Sequence, residues 1–196
     1  MILDKLKDVQ VVLGSQSPRR RELLAALGIS FEVIVREVDE RFDSDIEVQH
    51  AALEIARKKS AAFLEEHFFE ALVITADTIV IDAEGNPIGK PNDQDDAIRI
   101  LRRLSGKPHV VHTAVVIRYR AKQHHFTEET KVWFAALSDD EIAYYVNLYQ
   151  PYDKAGAYGI QEWIGRAAVT KIEGSYENVV GLPTARLFQE LKEILK

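Results

Sequence analysis

"VVLGSQSPRRRELLAAL", residues 11–27, sets a short apolar run directly against the start of a helix. Ser17 followed by Pro18 reads as an N-cap and a first helical residue, because the serine hydroxyl accepts an orphan backbone N–H and proline has none to lose. Gly28 stops the helix. Residues 11–14 form a buried strand, so 15–20 is a strand-to-helix turn. Arg19, Arg20 and Arg21 then lie at the positive end of the helix dipole, where an exposed cation is disfavoured by roughly 0.3–1 kcal/mol. Something negative is expected nearby.

Beyond this helix, residues 31–35 alternate like a strand and the acidic stretch 36–45 reads as a loop. The spacing predicts a long helix over 46–69, with Ala52, Ile55, Ala56, Lys59, Ala62 and Phe63 on one side at period 3.6. Lys59 falls inside that apolar stripe and Lys58 outside it. "ALVITADTIVI" (71–81) is a β-branched run interrupted by Asp77, and 82–91 reads as a turn and loop. A helix over 94–104 ends near Gly106. Two long strands follow at 109–119 and 124–135, joined through "RAKQ", which places His124 and His125 at a hairpin loop. Ser138 and Glu141 form a capping box that opens another helix. Residues 152–161 make a shaped loop, strands lie around 166–172, 173–183 is a loop, and a last helix starts at Thr184. This alternation predicts an α/β fold, a mixed twisted sheet with flanking helices, in a single domain over 1–196.

Composition removes several function classes. The 196 residues, 46% hydrophobic, are enough for a full core. With no cysteine there are no disulfides and no thiolate metal sites, which suits a reducing compartment. No apolar run approaches the ~18 residues of a membrane span and no signal-type segment opens the chain, so a cytoplasmic protein is expected. A net charge of −6 argues against a broad nucleic-acid surface. An anion site must be local.

The 15–20 turn is the first candidate, since backbone N–H groups, a helix N-terminus and guanidinium forks converge there. By itself it also reads as a capped surface helix whose arginines pair with Glu22 or Glu32. It is not a P-loop. Asp77 is the second candidate: a carboxylate within Val, Ile and Ala needs a partner, a metal or a raised pKa, unless the strand has ended there. The β pattern resuming in "DTIVI" favours the functional reading. Lys59, Lys90 and Lys154 each read alone as snorkelling or surface charge, and together with the arginines as the positive pocket a triphosphate demands. Glu40, in "VDERFD", is a second carboxylate for a hard cation or an exposed loop acid. The six histidines show no zinc spacing, and no nucleophile elbow is present.

Taken together and in order, "SQSPRRRELL", "VDE", "ARKK", "ITADTIV", "GKP", "LSGKPHVVHTAV", "DKAGAYGIQ" and "GSYENVVGLP" resemble the Maf family of nucleotide pyrophosphatases over nearly the whole chain. The resemblance implies a fold related to the inosine triphosphate pyrophosphatase group, with a cleft between two lobes. It implies hydrolysis of a nucleoside triphosphate to the monophosphate and pyrophosphate with a divalent cation, Mg²⁺ or Mn²⁺. Asp77 matches the proton acceptor, and Ser15, Arg19, Lys59, Lys90 and Lys154 match positions that hold phosphates or shape the pocket. Glu40 matches an acidic position near the metal, to which Asp77 would also contribute. Arg20, Thr78 and Gln161 match positions that mark the branch acting on dTTP and UTP. A homodimer, and an alternative role as a non-catalytic nucleotide-binding regulator of septum formation, come with the same resemblance. The chain departs from the pattern at Gln150, where a glutamate is expected, and at Glu162, where a small residue is commoner. Both flank the base-reading loop.

Overall fold

The computed structural model describes residues 1–41 and 46–196; the 42–45 part of the expected acidic loop lies outside them. The elements run α1 (Ile2–Leu6), β1 (Val11–Leu13), α2 (Pro18–Ala26), β2 (Glu32–Val33), α3 (Val48–Ala61), β3 (Leu72–Ile81), β4 (Pro87–Ile88), α4 (Gln94–Leu104), β5 (Pro108–Tyr119), β6 (Lys122–Phe134), α5 (Asp139–Tyr149), α6 (Trp163–Ala167), β7 (Val169–Glu173), α7 (Tyr176–Val180) and α8 (Thr184–Ile194). The strands make one mixed sheet in the order β2-β1-β3-β5-β6-β7, with β4 on β3. β1 runs parallel to β2 and β3, whereas β3–β4 and β6–β7 are antiparallel. This is the expected α/β class. No helix among the described residues is long and apolar enough to cross a membrane.

The chain forms two compact units. Unit 1 comprises residues 1–77, 113–128 and 181–196, and unit 2 comprises 78–112 and 129–180. In unit 1 the two-residue period of the strands divides the apolar side chains between two cores. Val11, Leu13, Leu72, Ile74 and Ala76 pack with Leu24 of α2 and with Leu187, Leu191 and Ile194 of α8. Val12 and Val73 face the other way, onto Phe63 and Phe68. β1 is therefore buried on both faces, which is why its sequence is continuously apolar.

Phe63 and Phe68 also explain why the expected single helix over 46–69 is broken into α3 and a 3-10 turn at Glu66–Phe68. The two rings meet edge to face with centroids 5.2 Å apart, both buried. On an uninterrupted helix, residues five apart point roughly 140° away from each other, so only a break lets both reach the core. Other expectations shift similarly. The 31–35 strand contracts to Glu32–Val33, and the strand expected around 166–172 lies at Val169–Glu173 because Trp163–Ala167 is helical. The 173–183 loop contains α7, pinned by the buried Asn178 amide, which donates to the Val111 carbonyl (3.1 Å) and the Thr130 hydroxyl (2.9 Å). The hairpin turn is only Arg120 and Ala121, with Arg120 at φ 54°, so His124 and His125 lie in β6 and not in a loop.

Unit 2 is organised by capped turns. Oδ1 of buried Asp82 accepts the backbone N–H groups of Glu84 (3.0 Å) and Asn86 (2.7 Å), and Arg103 of α4 pairs with its other oxygen. The Ser138–Glu141 capping box opens α5 as expected. His109, Phe134 and Tyr158 meet edge to face with centroids 5.0–5.3 Å apart.

Candidate active site

Unit 1 carries the strand-to-helix turn in the form its residues dictate. The Ser17 hydroxyl accepts the Arg20 N–H (3.4 Å), Pro18 opens α2, and the Ser15 hydroxyl accepts the Ser17 N–H (3.2 Å). The three arginines part company from there. Arg21 is exposed and donates to the Gln16 carbonyl, whereas Arg19 is half-buried. Arg20 is buried, with Nε donating to the Gly181 carbonyl (2.8 Å) and Nη1 to Ser15 Oγ (3.3 Å). Burial lowers the Arg20 pKa, Asp77 and Glu40 oppose that, and Arg19 adds to it. The negative groups expected near this helix start are thus Asp77 and Glu40.

The strand period places Val73, Thr75 and Asp77 of β3 on the face that meets α3. Thr75 Oγ1 donates to the Ala56 carbonyl at 2.9 Å and ties the two elements together. Lys59 is nearly one turn further along α3, and its ammonium donates to Asp77 Oδ1 at 2.7 Å and lies 2.8 Å from Glu40 Oε1. The Lys59 and Asp77 side chains are 14% and 15% exposed and that of Glu40 48%, so a shielded ion pair has one wet partner at its edge. Lys58, outside the stripe, pairs instead with Glu54 at 3.0 Å. Gly14 lies between these parts, where a Cβ would come within 2.8 Å of Thr75 Cγ2 and 2.9 Å of Phe63. The missing side chain lets the end of β1 close onto β3 and onto Phe63, just past α3.

Unit 2 holds the other four expected residues. Thr78 is half-buried, and Lys90 and Gln161 are exposed, on the loop before α4 and just before α6. Lys154 is buried, 2.7 Å from Asp153 Oδ1 and 3.3 Å from Glu162 Oε1. Glu162 Oε2 accepts a short hydrogen bond from the Tyr145 hydroxyl, which itself accepts the Gly159 N–H at 2.9 Å. Tyr145 carried no signal beyond its place on an apolar helix face, and Thr75 read as one more β-branched strand residue. Glu162 was visible only as a departure.

A cation already sits between Asp77 and Glu40: the Lys59 ammonium bridges them. Two hard carboxylate oxygens suit Mg²⁺ or Mn²⁺, since Mg²⁺ is commonly held by one or two carboxylates together with waters and substrate phosphates. Among the described residues no cluster of three or more His, Asp or Glu is placed to hold a metal. The pair therefore fits a cation completed by a ligand, not a closed protein cage.

Among solved structures, the Ham1 protein of Staphylococcus aureus superposes with a TM-score of 0.52 at 15% identity, covering 95% of this chain and 100% of that one. The protein is thus of the Ham1-like α/β fold. In sequence, the family profile described as Maf-like protein matches residues 10–194. A dTTP/UTP pyrophosphatase of Bacteroides fragilis is 48% identical over 194 residues, 98% of this chain and 100% of that protein. Those of Porphyromonas gingivalis and Christiangramia forsetii are 47% and 41% identical over 195 residues, covering 98% and 100% of this chain and 98% and 99% of theirs. The chain belongs to the Maf family.

Proposed function

We propose that this protein is a nucleoside triphosphate pyrophosphatase that hydrolyses dTTP and UTP to the monophosphate and pyrophosphate. The observation that carries the reading is the Lys59 ammonium held within 2.8 Å of both Asp77 and Glu40 in a chain whose relatives bear that activity in their names. The family profile spans stretches of both units, which supports a single functional domain.

A triphosphate carries about four negative charges near neutral pH, so an oxygen nucleophile is repelled until cations absorb that charge. Arg19, Lys59, Lys90 and Lys154 supply cationic donors to the phosphates, and Ser15 and Arg20 shape the turn beside them. A divalent cation, Mg²⁺ or Mn²⁺, held by Asp77 and Glu40, would neutralise phosphate charge and acidify water. Asp77 orients a water and takes its proton; the water oxygen bonds to the α-phosphorus, the bond from that phosphorus to the α–β bridging oxygen breaks, and pyrophosphate leaves with that electron pair. Gln161 offers both a donor and an acceptor to a pyrimidine edge, and Thr78 limits the pocket. The setting proposed is the cytoplasm.

Pyrophosphate release from UTP, dTTP, CTP, ATP and GTP, with and without Mg²⁺, tests the reading. UTP and dTTP are expected to turn over at least about tenfold faster than GTP, and only with the metal. Tight nucleotide binding without turnover would favour the non-catalytic regulator instead.

A further inference from the structure

We infer that Glu162 is a positioning residue for base selection: through Tyr145 and Lys154 it fixes the 154–161 loop in the conformation that presents the Gln161 amide to the pyrimidine. The inference rests on the proposed roles of Gln161 and Lys154. It goes beyond them because Glu162 touches no substrate in that scheme.

The loop does not hold itself. Gly156 and Ala157 both have left-handed backbones, at φ 74° and 57°, and Ala157 pays a steric penalty for that conformation which glycine does not. Residues 155–157 make only a single 3-10 turn. What closes the loop is a clasp of side chains. The Gly159 N–H donates to the Tyr145 hydroxyl, that hydroxyl donates to one oxygen of Glu162, and the other oxygen faces the Lys154 ammonium. Residues 154, 159 and 162 are thereby joined through a tyrosine that belongs to another element.

That tyrosine is a rigid anchor. Tyr145 is fully buried on α5, stacked on Tyr149 with ring centroids 5.0 Å apart, and α5 is fixed by its capping box. Burial first, and then the Glu162 carboxylate, push its hydroxyl pKa up, so it stays a donor at all working pH values. Gly159 completes the fit: a Cβ there would lie 2.8 Å from Glu162 Cδ, so only glycine lets the carboxylate lie against the loop. The loop is also tied to the neighbouring strand segment, because the Gly156 N–H donates to the Gly89 carbonyl at 3.1 Å, one residue before Lys90. Gln161 emerges exposed between Gly159 and Glu162, at the end of the clasped segment. Asp153 already pairs with Lys154 at 2.7 Å, so Glu162 is not required to neutralise that lysine. Its second bond, to Tyr145, is what makes it a clasp.

The test is steady-state hydrolysis of UTP and GTP by the full-length protein with Mg²⁺, comparing Glu162→Ala, Glu162→Gln and Tyr145→Phe with Gln161→Ala and the unaltered chain. Glu162→Ala and Tyr145→Phe are expected to lower the UTP-over-GTP ratio of kcat/KM about tenfold, mainly by raising KM for UTP, with kcat falling less than about threefold. Glu162→Gln keeps an acceptor for Tyr145 and is expected to retain the ratio within about threefold, which a role in charge alone would not allow. Gln161→Ala separates the two layers. If it lowers the ratio and the folded Glu162 and Tyr145 variants do not, the clasp is wrong and the role of Gln161 stands. If Gln161→Ala leaves the ratio unchanged, the base-reading role fails and the inference falls with it. A uniform loss of kcat for both nucleotides in all three clasp variants would also overturn it.

Discussion

Lys59 of unit 1 and Lys154 of unit 2 are both shielded lysines, and they are held in opposite ways. Lys59 projects from a regular helix onto a regular strand, and its partners Asp77 and Glu40 are the carboxylates proposed to carry the chemistry. Lys154 starts an irregular loop, and its partner Glu162 is secured by a buried tyrosine. Packed helix and strand fix a group more closely than a loop can, which suits the step in which a proton moves. Under the proposed function, turnover belongs to the residues of unit 1 and discrimination between bases to those of unit 2.

Of the two lysines, Lys59 should give the larger effect. Lys59→Ala is expected to cost about 10²- to 10³-fold in kcat/KM for UTP, the range for loss of one preorganised donor to developing charge. The UTP-over-GTP ratio should stay within about threefold. A change in that ratio matching the one caused by Glu162→Ala would erase the distinction between the two lysines.

A smaller effect concerns unit 2 alone. His109 is buried, its Nε2 is 2.7 Å from the Tyr158 hydroxyl, and its Nδ1 has no partner among the described residues. Burial pushes its pKa down to about 4 from an ordinary 6.5. Below pH 6.5 the unfolded chain therefore takes up a proton that the folded chain refuses, so stability falls with pH until about 4. The full loss is roughly 3 kcal/mol, from 1.36 kcal/mol per pKa unit. Urea unfolding at pH 7, 5.5 and 4.5 should show a graded decrease that His109→Gln flattens. Parallel pH curves for the two proteins would contradict this.

Local signals exposed much of this arrangement. Ser17–Pro18 and the Ser138–Glu141 box fix their helix starts through capping chemistry within a few residues, and both are where the sequence places them. Asp77 could be found because it breaks an apolar run, and Lys59 because it sits in an apolar stripe. The break after α3 was hidden: it is imposed by two phenylalanines reaching the same core, which periodicity within a helix does not encode. Tyr145 and Glu162 were hidden for a related reason. They are 17 residues apart on a helix and a loop, and no pattern within either one foretells the hydrogen bond between them.

Turnover by Asp77→Asn, measured beside nucleotide affinity, tests the central claim most directly. The substitution preserves shape while removing the proton acceptor and one charge from the Lys59 bridge. Pyrophosphate release from saturating UTP with Mg²⁺ is expected to fall by at least about 10²-fold, the lower end for loss of a general base, while UTP binding changes by less than about tenfold. A rate within a few fold of the unaltered protein would show that the proton goes elsewhere and that the Lys59–Asp77–Glu40 group is not the centre of the reaction.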